Sequence, residues 1–165
     1  MSDRTQALAV EFDRATDRLV RTIREMSDGD WEKVTEAEGW SVAAVAHHVA
    51  FYMDIEAEFV HRLAQLKPTP ALSPDAIDDL NARMASQHAG ISKSDVLQLL
   101  TANRSIVRET LRAITDEQLE ITYPGQSVSL RMPDDMTISI EKLIERLLIG
   151  HVKNHLSSIE KTIGA

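Results

Sequence analysis

The segment Ile140-Glu141-Lys142-Leu143-Ile144-Glu145-Arg146-Leu147-Leu148-Ile149-Gly150-His151-Val152-Lys153-Asn154-His155-Leu156-Ser157-Ser158-Ile159 decides how this chain folds. Ile140, Ile144, Leu147, Leu148, His151, His155 and Ile159 recur every three or four residues, so at about 100° per residue they share one helix face. Two histidines lie in that apolar stripe, four residues apart. Side chains at such a spacing stack one above the other, so both imidazoles project the same way. Each unpaired buried polar atom costs about 1–3 kcal/mol, so inward imidazoles demand partners. A metal ion would satisfy both at once. Hydrogen bonds to neighbouring polar groups are the plain alternative, and the H-x-x-x-H pattern alone does not choose between them. A glycine inside a helix costs roughly 1 kcal/mol against alanine. Gly150 therefore points to a packing reason, such as close approach of a second helix.

Three other long segments carry the same periodicity. From Ser2 to Met26, Leu8, Phe12, Ala15, Leu19 and Ile23 form one stripe, and Asp28-Gly29-Asp30 reads as its end. A short segment around Trp31 follows. Ser41 is the expected N-cap of a helix from Val42 to Leu66, stopped by Pro68 and Pro70. Ser73-Pro74 starts another segment that reaches His88, is closed by Gly90, and is too polar for a main bundle member. Ser92 or Ser94 then caps a helix to Ile114, with Val96, Leu99, Leu100, Asn103, Val107 and Leu111 on one side. Thr115 to Gln118 reads as one more helical turn. Residues 121–138 differ in kind: Val128, Leu130 and Met132 alternate with polar residues after a Pro124-Gly125 turn, which predicts a small hairpin or extended lip. The last helix runs from Ser139 to Ile163. The whole chain, 1–165, is expected to be one all-α domain. Its architecture is a four-helix bundle with a long crossover between the second and third bundle helices, plus a short extended segment before the last.

Composition removes several functions. The net charge is −8, whereas a nucleic-acid surface needs clustered Lys and Arg, and an anionic membrane surface attracts basic segments. The sequence shows no apolar run long enough to span a bilayer, and Met1-Ser2-Asp3-Arg4 leads directly into a charged amphipathic segment. With no cysteine there is no disulfide and no thiolate ligand. The expectation is a cytoplasmic protein whose metal, if any, is held by His, Asp, Glu or water.

Helical geometry sorts the other histidines. His48 falls with Val45, Tyr52, Ile55 and Phe59 and is expected to face the core. His47, about 100° away, falls with Asp54, Glu58 and His61 on what reads as the solvated side. His88 sits in a polar stretch and reads as surface. His48, His151 and His155 thus form a candidate three-histidine metal site with open positions, the pattern of catalytic zinc centres. Glu56 lies about 80° from His48 and is a candidate general base or orienting acid, against the plainer reading of a helix-surface glutamate. Tyr52, one turn beyond His48, is a candidate pocket residue or simply core with a wet hydroxyl. Arg131 is a candidate to reach over the site. Glu58-x-x-His61 stands alone on the polar face, so a di-iron bundle, which needs two such motifs, is rejected. Arg104 and Arg108 read as solvated charges.

The stretch Gly39-Trp40-Ser41-Val42-Ala43-Ala44-Val45-Ala46-His47-His48-Val49-Ala50 resembles the second-helix motif of the DinB/YfiT-like superfamily. In that motif a tryptophan at the start of the helix is followed, eight positions on, by a metal-binding histidine, which here implies His48. Gly150-His151-Val152-Lys153-Asn154-His155-Leu156 resembles the last-helix histidine pair of the same family. The resemblance implies a bundle with a crossover, one divalent metal, zinc or nickel, and a homodimer. It also implies kinship with thiol-dependent enzymes, among them bacillithiol S-transferases and mycothiol-dependent maleylpyruvate isomerases. Two functions are therefore expected. The first is a metal-dependent enzyme acting on a small molecule, through S-transferase-like or hydrolase-like chemistry with a low-molecular-weight thiol as co-substrate or with water. The second is a non-catalytic metal-binding or small-molecule-binding bundle, dimeric, that senses or stores.

Overall fold

The computed structural model describes residues 2–69, 73–125 and 135–165. Its helices are α1 (Asp3–Glu25), α2 (Asp28–Glu32), α3 (Val42–Ala64), α4 (Pro74–Gln87), α5 (Lys93–Ala113) and α6 (Asp116–Leu119), followed by strands β1 (Thr122–Pro124) and β2 (Thr137–Ser139). The last helix, α7, is one rod in three segments: α-helical Ile140–Leu143, π-helical Ile144–Gly150 and α-helical His151–Ile163.

Caps set the helix starts. Ser2, Ser41, Ser73, Ser92 and Ser139 each accept a backbone N–H of the first turn through Oγ, which satisfies one of the donors a helix start leaves unpaired. Ser92, not Ser94, caps α5. Asp28-Gly29-Asp30 is not the stop it reads as. α1 ends at Glu25, and Ser27 and Asp30 form a capping box that opens α2. Cap chemistry outweighs the turn signal of glycine there.

α1, α3, α5 and α7 form the bundle, each beside two others, with α1 and α3 both touching α5 and α7. Cross-helix bonds give their directions. Arg104 on α5 reaches Asp13 and Asp17 on α1, and Lys93 reaches Met26 O, so α1 and α5 are antiparallel. Ser41 Oγ donates to Ala89 O, Asn103 Nδ2 to Ala50 O and Gln118 Nε2 to Ala64 O, so α3 and α5 run the same way. A parallel neighbour needs a return path, and α4 supplies it by lying back along α3. The crossover is thus present. Within α4 Ala85 is the buried residue, in keeping with a polar segment outside the main bundle.

The core is the stripe of Phe12, Leu19 and Ile23 on α1, Val45, Val49 and Met53 on α3, Leu100, Val107 and Leu111 on α5, and Ile140, Ile144 and Leu148 on α7. Fully burying one such side chain is worth about 1.5–3 kcal/mol. β1 and β2 pair antiparallel, Tyr123 opposite Ile138, in agreement with the expected hairpin. Val128, Leu130 and Met132 lie outside the described residues, as does Pro70.

The π-helical stretch is the main departure from expectation. Ile140, Ile144, Leu148, Val152 and Leu156 are all buried. A constant spacing of four drifts about 40° per step round an α-helix. Bonds from residue i+5 to i underwind the rod, so the stripe stays on the bundle. His151 N–H donates to Arg146 O in that pattern. Gly150 answers to this geometry and not to a neighbouring helix, because a Cβ there would stand 3.0 Å from the Glu145 carbonyl oxygen of its own rod. Gly150→Ala, which at an ordinary mid-helix site would stabilise by about 1 kcal/mol, is expected here to destabilise by about 1 kcal/mol or more. Urea unfolding of the two proteins measures the sign, and a more stable variant would refute the account.

Candidate metal centre

α3 and α7 are antiparallel neighbours, and their facing sides bring together His48, His151 and His155. Each offers one ring nitrogen, and these three atoms lie within 4.8 Å of one another. His48 Nε2 is 3.0 Å from His151 Nε2. Two nitrogens on one tetrahedral zinc at 2.0–2.1 Å stand about 3.3 Å apart, so this spacing is close to that of ligands sharing an ion.

The other ring nitrogens of the α7 pair are held by carboxylates. His151 Nδ1 lies 2.9 and 3.0 Å from the two oxygens of Glu56 on α3. His155 Nδ1 lies 2.8 Å from Glu38 Oε1. A histidine whose outer nitrogen donates to a carboxylate presents the other as a lone pair, the arrangement that fixes metal-binding imidazoles. Among the described residues His48 has no such helper: its Nδ1 is buried without a hydrogen-bond partner there. Its ring is boxed by Trp40, at 5.4 Å edge-on, and by Tyr52, at 4.6 Å. The donor set, three imidazoles with two carboxylates behind them, fits a borderline divalent metal such as zinc or nickel.

Electrostatics divides the two carboxylates. Burial raises the proton affinity of Glu38, but the hydrogen bonds from Ser158 and His155 oppose it, and the carboxyl is held below its ordinary range. Burial dominates at Glu56 and pushes its carboxyl up, with only His151 opposing. Burial also pushes His155 down, and His48 far down, each with the neighbouring imidazoles adding to the effect.

Of the residues singled out in the sequence, His48, His151, His155 and Glu56 come together. The pair on α7 lies at the margin of the buried stripe, not in its middle, since Val152, Leu156 and Ile159 are the buried positions there. Tyr52 walls the site with its ring, while its hydroxyl donates to Asn81 Oδ1 on α4 at 2.7 Å. Arg131 lies outside the described residues. Among the face assignments on α3, Ile55 is exposed, 44 % accessible. His47 is the larger correction: it is buried, not solvated. α4 lays His88 over it, rings stacked 3.7 Å apart, with Phe51 stacked on His47 as well, so His88 is part of this contact and not free surface. Helical periodicity cannot foresee an outside helix folding back. Glu38 was missed altogether, because it sits in the irregular loop before α3, where no periodicity applies.

That loop is well braced. Thr35 N–H donates to Trp40 O and Gly39 N–H to Thr35 O, with Gly39 in the left-handed region at φ 70°, where glycine is favoured.

Burial, with the nearby His88 charge second, lowers the His47 pKa to about 4. The unfolded chain, with an ordinary value of about 6.5, binds a proton first as pH falls. Stability is therefore full above about pH 6.5 and is lost as pH falls toward 4, by up to about 1.4 kcal/mol per pH unit from this imidazole. Denaturant unfolding of chelator-treated protein between pH 7 and 5 should show that slope, reduced in His47→Phe. Equal slopes in the two proteins would sink the assignment.

Comparisons with known proteins follow the same lines. A Clostridium difficile 630 protein of uncharacterised function matches with a TM-score of 0.73 at 11 % identity, over 98 % of this chain and 96 % of that one. A Streptococcus pneumoniae protein matches with a TM-score of 0.74 at 10 % identity, over 98 % and 91 %. A histidine-to-alanine mutant of the mycothiol-dependent maleylpyruvate isomerase matches with a TM-score of 0.69 at 12 % identity, over 96 % of this chain and 63 % of that protein. At these identities the likeness is one of fold. No curated protein sequence matches the chain. The DinB superfamily sequence model, in contrast, matches residues 11–159, which take in both the Trp40–His48 helix start and the His151–His155 pair, and the chain therefore belongs to the DinB superfamily.

Proposed function

We propose that this protein is a divalent-metal-dependent enzyme acting on a small molecule, with His48, His151 and His155 as the metal ligands. The observation that carries the reading is the convergence of three ring nitrogens with two of the rings backed by carboxylates, an expensive arrangement in a bundle core unless something occupies its centre. Bound zinc or nickel would supply Lewis acidity, lowering the pKa of a coordinated thiol or water. The isomerase among the structural neighbours is mycothiol-dependent by name, which supports a low-molecular-weight thiol as co-substrate here.

The chain's own residues divide the remaining work. His151 and His155 are held by their outer nitrogens, with the inner ones turned toward His48. Trp40 and Tyr52 wall the ring of His48, with Tyr52 tied to α4 through Asn81, and limit water. Glu56 is buried beside His151 with a raised proton affinity, so it is suited to hold a proton released when a thiol or water is deprotonated. The site lies between α3 and α7 within one chain, so a homodimer, if formed, is not needed to complete it.

The test begins with metal content by elemental analysis of untagged protein purified without added metal. Near one ion per chain is expected, lost on His48→Ala and on His151→Ala, followed by metal-dependent consumption of a small thiol in the presence of an electrophile. Metal-free protein that also fails to take up zinc or nickel would end the metalloenzyme reading. Stoichiometric metal with no thiol or hydrolytic turnover would favour storage or sensing.

A further inference from the structure

We propose that Glu38 is the positioning residue of this centre, the group that fixes His155 in the tautomer and orientation needed to bind metal. The inference rests on the metal reading above. Glu38 has no place in helical periodicity, and of the three histidines it bonds to His155. Its importance comes from what converges on it.

Both carboxylate oxygens are engaged from α7. Oε1 accepts from His155 Nδ1 at 2.8 Å, and Oε2 from Ser158 Oγ at 2.6 Å. Thr35 braces the loop from within, its Oγ1 donating to Trp40 O at 3.2 Å. The Glu38 side chain is 12 % exposed, so its bonds form largely away from water and fix its direction. Ser158 follows His155 by three residues, so the two donors stand on neighbouring positions of one helix face. A carboxylate spanning them sets the ring's rotation as well as its proton. The backbone behind Glu38 is equally constrained, by the Thr35–Trp40 and Gly39–Thr35 bonds and by the Val34–Ser41 bridge that closes the loop onto the start of α3.

The same loop carries Trp40, which packs edge-on against His48. One rigid turn thus touches two of the three histidines, one through an ion-like hydrogen bond and one through an aromatic wall. Glu56 performs the analogous service for His151, but from within α3 and, among the described residues, toward that one ring. Glu38 is a clamp on two donors, His155 and Ser158, whereas Glu56 meets one, His151. Loss of Glu38 is therefore expected to free the His155 ring to flip, or to place its proton on the inner nitrogen, where it blocks coordination.

The experiment compares wild type, Glu38→Gln and Ser158→Ala. Zinc affinity is measured by competition with a chromophoric chelator, and the His155 tautomer by ¹⁵N NMR of the ring in zinc-free protein. Wild type should show His155 protonated at Nδ1. Glu38→Gln, whose amide has a single acceptor oxygen for two donors, should show a mixed tautomer and bind zinc about 10- to 100-fold more weakly. Ser158→Ala, which keeps the carboxylate and removes one donor, should weaken zinc by less. A Glu38→Gln protein with lowered thermal stability but unchanged zinc affinity and unchanged tautomer would show a merely structural role and overturn the proposal. If Glu38→Gln fails to fold, a Ser158→Ala protein with wild-type affinity and wild-type ring signal overturns it too. Wild-type protein that takes up no zinc would defeat the metal reading and this inference with it. Zinc binding shared equally by wild type and Glu38→Gln would defeat this inference alone.

Discussion

Three imidazoles cannot be packed between two helices without an account of where their ring nitrogens go. Hydrocarbon neighbours offer nothing to a nitrogen lone pair or an N–H, and the penalty for each unmet group is about 1–3 kcal/mol. The bundle meets it by bringing a carboxylate to the outer nitrogen of His151 and another to that of His155. The consequence is directional. Once the outer nitrogens are engaged, the inner ones turn toward each other and toward His48, and the 3.0 Å between His151 Nε2 and His48 Nε2 serves a hydrogen bond between the rings while lying near the spacing of two ligands on one ion. Among the described residues His48 Nδ1 is buried without a partner, a cost that a core built only for stability would avoid by placing a leucine there.

Such a cluster requires the last helix to arrive at a particular rotation. The π-helical stretch Ile144–Gly150 lies immediately before His151. Underwinding there keeps Ile144, Leu148 and Val152 on the bundle while delivering His151 and His155 to the margin of the buried stripe, next to α3 and the Glu38 loop. An uninterrupted α-helix with the same apolar residues would carry this face round by tens of degrees over the same length. Gly150 and the histidines are therefore one feature: the glycine permits the turn, and the turn aims the rings. Rare helical geometry is concentrated at functional sites for this reason.

How much of this could be read in the sequence follows from which interactions are local. Serine caps, the apolar stripes and the i, i+4 histidine pair depend on residues within a few positions of one another, and they locate the helices and point His151 and His155 the same way. His48 is legible as well, since it lies on the face of α3 that carries Val45. The failures at the site itself involve chain that returns from elsewhere. His47 looks solvated until α4 folds back and sets His88 on it. Glu38 looks like one of many surface acids until the loop before α3 turns its carboxylate onto α7. The π-helical stretch was available in principle, as the unbroken spacing of four from Ile140 to Leu156. That pattern is read as ordinary amphipathicity unless its cumulative drift is counted.

The crossover ties these non-local pieces together. Parallel α3 and α5 force the chain to travel back along the bundle, and the returning segment must lie on something. α4 is too polar to enter the core, so it covers the flank of α3, where Asn81 receives the Tyr52 hydroxyl and His88 stacks on His47. In doing so it covers Tyr52, which itself packs on the ring of His48, and His47. Without α4, Tyr52 and His47 would face water. The connection that the topology requires is thus also what lowers the local dielectric around the cluster. A less polar surrounding strengthens each hydrogen bond made by Glu38 and Glu56, so the route of the chain, which never touches the inner nitrogens, governs how firmly they are held.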